Sequence, residues 1–183
     1  VLVDNNFFLS RELSQVKLSQ GIAFVNNLIA WKIWETPLVD ERETPYLAPH
    51  GTSIEGLHNC PCGDVTYYNN IFTRIDMTPY DACSLPVRMG GNIFLSEAIP
   101  SEKEEFPHMN SGFDPDIRVI EKTDGWYLQM KVLEEWRKES KKSVLSTKDL
   151  PAAVIPHQSF NREDGTPIVF DLDYLENKRQ EEA

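Results

Sequence analysis

The most regular pattern in the chain places asparagine directly before a pair of apolar residues. It occurs four times, and the asparagine before the apolar pair is Asn6, Asn27, Asn70 or Asn92. The steps from 6 to 27, from 27 to 70 and from 70 to 92 are 21, 43 and 22 residues, so the middle step is almost two periods. Short β-rich units of this length, without an amphipathic helical stripe, are typical of one turn of a parallel β-solenoid.

Asparagine suits the corners of such a coil for a physical reason. It tolerates the left-handed backbone conformation of a sharp bend, and its amide can hydrogen-bond to the equivalent Asn one turn away. The apolar residues that follow each Asn would then stack in the interior of the coil. The alternative is an antiparallel sandwich whose turns happen to carry Asn.

The doubled step contains a segment of different character. Residues 34–62 are interrupted by four prolines and by glycine-containing turn sequences. This composition predicts either one irregular turn or a long excursion from the coil. Long loops on a rigid scaffold are where binding groups usually lie, so we assign 34–62 as a loop insert in a first domain over 1–111.

Residues 112–183 contain no further Asn repeat and predict a small β-rich, sandwich-like appendage. Its clearest signal is a hairpin over 117–130, whose turn is Thr123-Asp124-Gly125. The other predicted elements are a short helix over 133–142 and strands over 152–155 and 168–171.

Charge narrows the choice of partner. The chain has 18 Lys and Arg against 29 Asp and Glu, which gives a formal net charge of −11. Because such a chain repels phosphate groups and anionic surfaces, we expect no nucleic acid and no membrane among its partners. Residues 22–31, the longest apolar run, are also too few to span a bilayer. Acidic polysaccharides are disfavoured for the same reason, so a neutral ligand fits best.

Three cysteines, Cys60, Cys62 and Cys83, are too few for a disulfide scaffold and do not fix the compartment. Together with His58 and Asp64, the first two could form a metal site. The C-x-C spacing differs from that of structural zinc pairs, and no second cysteine pair follows. We therefore expect buried or loop thiols and no metal.

The order of several short motifs resembles the right-handed parallel β-helix glycoside hydrolases of the β-xylosidase type. The resemblance covers nearly the whole chain, and it depends on the order and spacing of motifs that are individually short. They are Val3-Asp4-Asn5-Asn6, Ser19-Gln20-Gly21, Thr44-Pro45-Tyr46, Gly63-Asp64 before Tyr67-Tyr68-Asn69-Asn70, and the tail Asp164-Gly165-Thr166-Pro167 with Asp171-Leu172-Asp173-Tyr174.

The resemblance implies an all-β fold and a retaining exo-glycosidase that releases xylose or a related pentose from short oligosaccharides, without a cofactor. In the family pattern, the nucleophilic Asp and the acid/base Glu precede the segment that matches Asp4. We therefore expect this chain to be the C-terminal portion of such an enzyme, without its catalytic pair. The alternative is a non-catalytic carbohydrate-binding or assembly module. A lyase on the same coil would need basic residues, and the insert offers only Arg42.

Five residues are predicted to contact substrate. His50 in the insert has an imidazole that can donate to and accept from sugar hydroxyls, and Gln20 has an amide suited to a hydroxyl pair. Glu55 lies in the insert and Asp64 at its return, while Trp34 could offer an aromatic face to a sugar ring. For each, a structural role in a loop, a corner or the core is the competing interpretation.

Asp4 and His58 are weaker candidates, for catalysis and for sugar contact respectively. The chain departs from the family pattern at Asn26, where a His is usual, and at Trp31, where a small residue is usual, so arabinose stays open beside xylose. A coil cut between turns would expose unpaired backbone groups over 1–9, so the isolated chain is expected to be unstable or to form homo-oligomers. The sequence does not indicate a cellular location.

Overall fold

The computed structural model describes residues 1–16, 19–34, 40–133 and 144–179. In these ranges the protein is all-β, and the one helix is a five-residue 3₁₀ turn at Thr78–Ala82, much too short to cross a membrane. The strands are β1 Leu2–Asp4, β2 Phe7–Phe8, β3 Glu12–Gln15, β4 Ile22–Val25, β5 Leu28–Ile29, β6 Lys32–Trp34, β7 Asp40–Leu47, β8 Ile54–Cys60, β9 Val65–Tyr68, β10 Ile71–Thr73, β11 Val87–Gly90, β12 Ile93–Leu95, β13 His108–Asn110, β14 Arg118–Lys122 and β15 Gly125–Gln129.

Parallel strands organise the first 110 residues, in two larger sheets and the two-stranded sheet β3-β6. The first sheet has the order β1-β4-β9-β11 and the second has the order β2-β5-β10-β12-β13. The chain alternates between them, so each repeat adds one strand to each sheet, in a register that aligns Leu2 with Ala23 and Ile22 with Val65. All neighbours in both sheets are parallel, which excludes the antiparallel sandwich for this region.

A ladder of side-chain amides connects the repeats, as the sequence predicts. The Nδ2 of Asn6 donates to the Oδ1 of Asn27 at 3.2 Å, that of Asn27 to Asn70 at 3.0 Å, and that of Asn70 to Asn92 at 3.1 Å. The ladder ends on a carboxylate, because Asn92 donates to Glu104 Oε2 at 2.6 Å. Asn27, Asn70 and Asn92 are buried, so their amides satisfy backbone and side-chain groups that water cannot reach.

The left-handed bend belongs to the residue before each ladder position. Asn5, Asn26, Asn69 and Gly91 have φ values of 54°, 57°, 56° and 64°. Gly adopts this conformation without steric cost and Asn adopts it more readily than most residues, which explains the Asn-Asn and Gly-Asn pairs. The first residue of each pair turns the chain and the second joins the ladder.

Apolar side chains fill the space between the two sheets. The rings of Phe24 and Tyr67 stack with centroids 4.9 Å apart, and those of Phe72 and Phe94 stack at 5.2 Å. The Tyr67 hydroxyl reaches the Tyr80 hydroxyl at 2.6 Å, so the polar end of each ring has a partner inside the core. Phe72 and Phe94 follow Asn70 and Asn92, and Ile29 in the same core follows Asn27, which confirms that apolar residues after the ladder Asn stack inside. Phe24 and Tyr67 precede their Asn pairs and join the core from the first sheet.

The outer face of the first sheet is covered by the C-terminal segment. Ala23 and Val25 on β4 pack against Leu150 and Phe170 in a second core cluster. Both faces of β4 are therefore buried, which accounts for its uninterrupted apolar sequence. The rest of residues 144–179 follows an irregular path with two isolated bridges, Ser146 to Val169 and Leu172 to Lys178.

The strands predicted over 152–155 and 168–171 are therefore wrong. Ile168 and Phe170 pack onto the sheet face and Ala153 is buried beside Gly21, while neither backbone segment forms a ladder. Pro151, Pro156 and Pro167 contribute to this result, because proline has no N–H to donate. The predicted helix over 133–142 falls on residues that, from 134 onward, are outside the described part of the chain.

Two antiparallel hairpins project from this arrangement. Strands β14 and β15 pair from Arg118 with Gln129 to Lys122 with Gly125, as the predicted turn requires. Residues 40–60 of the insert form the second hairpin, β7 paired with β8. Within the described residues of the insert, these two strands pair with each other and with no strand of the parallel sheets.

The prediction of three thiols is also wrong, because Cys62 and Cys83 form a disulfide with their Cα atoms 4.8 Å apart. The two residues are 21 positions apart, which is one period of the stack, so the repeat places them side by side. Cys60 is the free cysteine of the three. Among the described residues no group of three or more His, Cys, Asp or Glu side chains is placed to hold a metal ion.

Candidate functional site

A pocket of about 240 Å³ opens where three distant parts of the chain meet. One part is the edge of the first sheet, the second is the end of the β7–β8 hairpin, and the third is the C-terminal segment. The lining residues are Val1, Gln20, Gly21, Tyr46, Leu47, Ala48, Ala153, Pro156, Gln158, Ser159 and Phe160.

Gly21 allows the C-terminal segment to approach the sheet edge. Its φ is 70°, in the left-handed region, and a Cβ built there would lie 3.0 Å from the Cβ of Ala153. Any other residue would be strained and would push Ala153 away. The Gln20-Gly21 sequence therefore combines a lining amide with the close contact that forms the pocket wall.

Gln20 is the sequence-predicted site residue that lines the pocket. It is half-buried, and its Nε2 donates to the backbone carbonyl of Pro61 at 2.5 Å. That bond fixes the plane of the amide, and the Oε1 of a glutamine can accept from a ligand hydroxyl. Gln20 is thus held in place before any ligand arrives.

Asp64 lies behind the pocket wall and not among its lining residues. It is 5% exposed, and its Oδ2 accepts a hydrogen bond from the backbone N–H of Val154 at 2.9 Å. Burial raises the pKa of this carboxyl above its usual range, and the Val154 N–H partly opposes that shift. In this geometry Asp64 attaches the C-terminal segment to the first sheet.

The hairpin wall is connected to the C-terminal segment by another side chain. Gln158 Nε2 donates to the carbonyl of Leu47 at 2.7 Å. The turn itself is closed by the N–H of Ala48, which donates to the carbonyl of Ser53 at 2.9 Å. The hairpin end is therefore held at the mouth of the pocket.

The other predicted site residues lie elsewhere. His50 is exposed in the hairpin turn with a φ of 52°, and Glu55 is exposed on β8. His58, further along β8, is exposed and its Nδ1 lies 2.7 Å from the carbonyl of Asn59. Trp34 ends β6, and its side chain is outside what the structure describes. None of these four is among the residues that line the pocket.

Asp4 belongs to a different cluster, where the end of the chain meets the first repeat. Burial raises the pKa of Asp4, and the charge of Arg179 partly opposes the shift. Arg179 also donates to Asn5 Oδ1 at 2.6 Å, and the ring of Tyr174 stacks on that of Phe7 at 4.1 Å. These contacts give Asp4 a structural environment, and Asp4 is not among the residues that line the pocket.

Sequence reasoning missed Tyr46 and the C-terminal lining residues. Tyr46 is part of the Thr44-Pro45-Tyr46 motif but was not itself predicted to contact a ligand. Gln158, Ser159 and Phe160 gave no local signal, because they reach the pocket only after the C-terminal segment packs on the first sheet.

The lining chemistry suits a neutral, hydroxyl-rich ligand. Gln20 and Gln158 carry amides, Tyr46 and Ser159 carry hydroxyls, and Tyr46 and Phe160 present aromatic rings. No side chain in this lining, within the described residues, carries a formal charge. Amides and hydroxyls pair with sugar hydroxyls in both donor and acceptor senses, and rings cover the apolar faces of a sugar.

The chain is similar to a solved structure of XylC in complex with xylose. The TM-score is 0.85 and the sequence identity is 28%, over 98% of this chain and 32% of the XylC chain. This chain therefore spans about a third of the length of that protein. No protein-family model and no curated protein matches the sequence.

Proposed function

We propose that this chain is the C-terminal portion of a retaining exo-glycosidase that acts on xylo-oligosaccharides or related pentosides. Its two parallel sheets would form the last turns of a right-handed parallel β-helix over residues 1–111, with 34–62 as a loop insert and 112–183 as a small β-rich region. The pocket would bind the neutral sugar.

The observation that carries this proposal is the similarity to XylC. It extends over 98% of this chain, and that structure holds xylose. The order of the motifs in the sequence, which resembles the β-xylosidase type of glycoside hydrolase, also supports a xylose-related function.

The pocket geometry supports sugar binding. Pockets for drug-sized ligands measure about 300–1,000 Å³, so a volume of about 240 Å³ fits one monosaccharide ring. Gln20 would orient that ring through its hydroxyls. His50 and Glu55, exposed on the adjoining hairpin, would contact sugar residues that extend out of the pocket.

The catalytic carboxylates are proposed to lie in a part of the enzyme that precedes this chain. Retention requires a nucleophilic carboxylate and an acid/base carboxylate about 5–5.5 Å apart. No Asp or Glu is present in the pocket lining, within the described residues, so the pocket supplies binding groups and no catalytic pair. The same observation favours the second candidate, a carbohydrate-binding module without hydrolysis.

Calorimetric titration of the 183-residue chain with xylose, xylobiose and arabinose tests the proposal. We expect saturable binding. It should weaken about tenfold in Gln20→Ala, because one or two hydrogen bonds to sugar hydroxyls are lost. Gln129→Ala is the matched control, because this exposed glutamine on β15 does not line the pocket. Absence of binding would contradict the proposal, and hydrolysis of an aryl xyloside by the chain alone would contradict the placement of the catalytic pair.

A further inference from the structure

Gly56 occupies a position at which the backbone does not require glycine. Five of the nine glycines have a φ in the left-handed region, and Gly56 is not among them. It lies within β8, directly opposite Tyr46 on β7. Glycine inside a strand weakens it and commonly marks a place where another group approaches closely.

The approaching group is the ring of Tyr46. A Cβ built on Gly56 would lie 2.7 Å from the Tyr46 hydroxyl oxygen and 2.9 Å from its Cε1 and Cζ atoms. Real Cβ atoms essentially never show such distances. The ring therefore rests on the bare backbone of β8, in space that any other residue would occupy.

We propose that Gly56 is a positioning residue that holds Tyr46 in the pocket, where the Tyr46 ring is a platform for a single monosaccharide ring. This inference rests on the proposed function and extends it. Tyr46 is half-buried and lines the pocket together with Gln20. A ring fixed against the backbone loses little conformational entropy when a ligand binds, so its contact area is available at low cost.

The chemistry of the platform matches a sugar more closely than a charged ligand. The axial C–H groups of a pyranose form an apolar face that packs on an aromatic ring, and the phenolic hydroxyl at its edge can donate to or accept from a ring hydroxyl. No side chain of the lining described above carries a charge that would favour an ionic ligand, and the α-amino group of Val1, which is part of the lining, donates to the carbonyl of Gly21. The specificity predicted for this position is for one neutral pyranose ring.

The experiment compares alanine at two glycines of the same hairpin. Gly56→Ala removes the space for the Tyr46 ring. Gly51→Ala is the matched control, because its φ is also outside the left-handed region and a Cβ there meets its nearest atom at 3.6 Å, an ordinary contact. We expect Gly56→Ala to weaken xylose binding about five- to tenfold, Tyr46→Ala to weaken it similarly, and Gly51→Ala to leave it unchanged.

The double variant separates positioning from a general effect on the hairpin. If Gly56 acts through Tyr46, Gly56→Ala adds no further loss of affinity in the Tyr46→Ala background. The NMR signals of labelled tyrosine give a second readout without a ligand: the Tyr46 resonance should shift in Gly56→Ala and stay in place in Gly51→Ala. If Gly56→Ala does not fold, Tyr46→Leu against wild type tests the platform with no backbone change.

The outcomes distinguish the two proposals. Binding by the unmodified chain with equal affinities for Gly56→Ala and Gly51→Ala would overturn the positioning role of Gly56 and leave the proposed function in place. Unchanged affinity in Tyr46→Leu would overturn the platform. No binding by the unmodified chain would overturn the proposed function together with the platform.

Discussion

Replacing Asn70 by alanine should destabilise the stack more than the same change at Asn6, at the open end of the amide ladder. Asn70 is fully buried at its centre. Its Nδ2 donates to the carbonyl of Phe24 at 3.0 Å and to Asn92 Oδ1 at 3.1 Å, and its Oδ1 accepts from the N–H and the Nδ2 of Asn27, both at 3.0 Å.

The expected loss of stability depends on which hydrogen-bond partners of Asn70 keep another hydrogen bond. In Asn70→Ala the Asn92 Oδ1 still accepts from the Asn70 N–H, and the Asn27 Nδ2 still donates to the carbonyls of Val3 and Val25. The Asn27 N–H and the Phe24 carbonyl lose this partner. Each buried polar group left unsatisfied costs about 1–3 kcal/mol, so we expect a loss of about 2–6 kcal/mol in the free energy of unfolding.

Asn6→Ala is the matched control at the open end of the same ladder. Asn6 is exposed, and its Nδ2 donates to the Asp4 carbonyl and to Asn27 Oδ1. Water can replace both bonds, so the expected cost is below about 1 kcal/mol. Urea unfolding followed by circular dichroism measures both variants, and the midpoint should fall without a change in m. Equal losses for Asn70→Ala and Asn6→Ala would refute the reasoning.

Two further predictions concern the end of the ladder and the disulfide. Burial raises the pKa of Glu104 despite its bonds from Asn92, so the stability it contributes is fully present below the usual glutamate pKa and is lost as pH rises through the raised value. Between about pH 4 and higher pH, the urea midpoint should decline less in Glu104→Gln than in the unmodified chain. The same dependence of the midpoint on pH in both proteins would contradict this. Reduction of Cys62–Cys83 opens a loop of 21 residues and should cost about 3 kcal/mol of stability, whereas Cys60→Ser should cost almost none; equal midpoints with and without reductant would contradict it.

Local sequence determined the parallel stack. Each Asn pair specifies a left-handed bend and a ladder position at once, because these are properties of the residue type and its immediate neighbours. Repetition every 21 or 22 residues then aligns the equivalent residues of successive repeats. The apolar residues that follow each ladder Asn are thereby placed in the interior. The β14–β15 hairpin was predictable for the same reason, since its Asp-Gly turn acts over a few residues.

The candidate site was predictable only where it uses such local signals. Gln20 was found because the Gly beside it marks a turn, and it lines the pocket. The chemistry of His50, Glu55 and Asp64 and their positions in or beside the insert predict sugar contact. Neither property distinguishes a residue that faces a pocket from one that faces solvent or supports a wall. Their contact with sugar stays a prediction.

Tertiary structure alone decided the pocket. The Asp64 carboxylate meets the N–H of Val154 across 90 residues of sequence, and Gln158 meets the carbonyl of Leu47 across 111. The segment that supplies Gln158 and Phe160 forms no regular ladder, so no periodic pattern in its sequence predicts its position. It packs there because Ala23 and Val25 present an apolar face that must be buried, and Gly21 leaves room beside it. Burial over such distances depends on the complementary shape of folded surfaces, which no local pattern encodes.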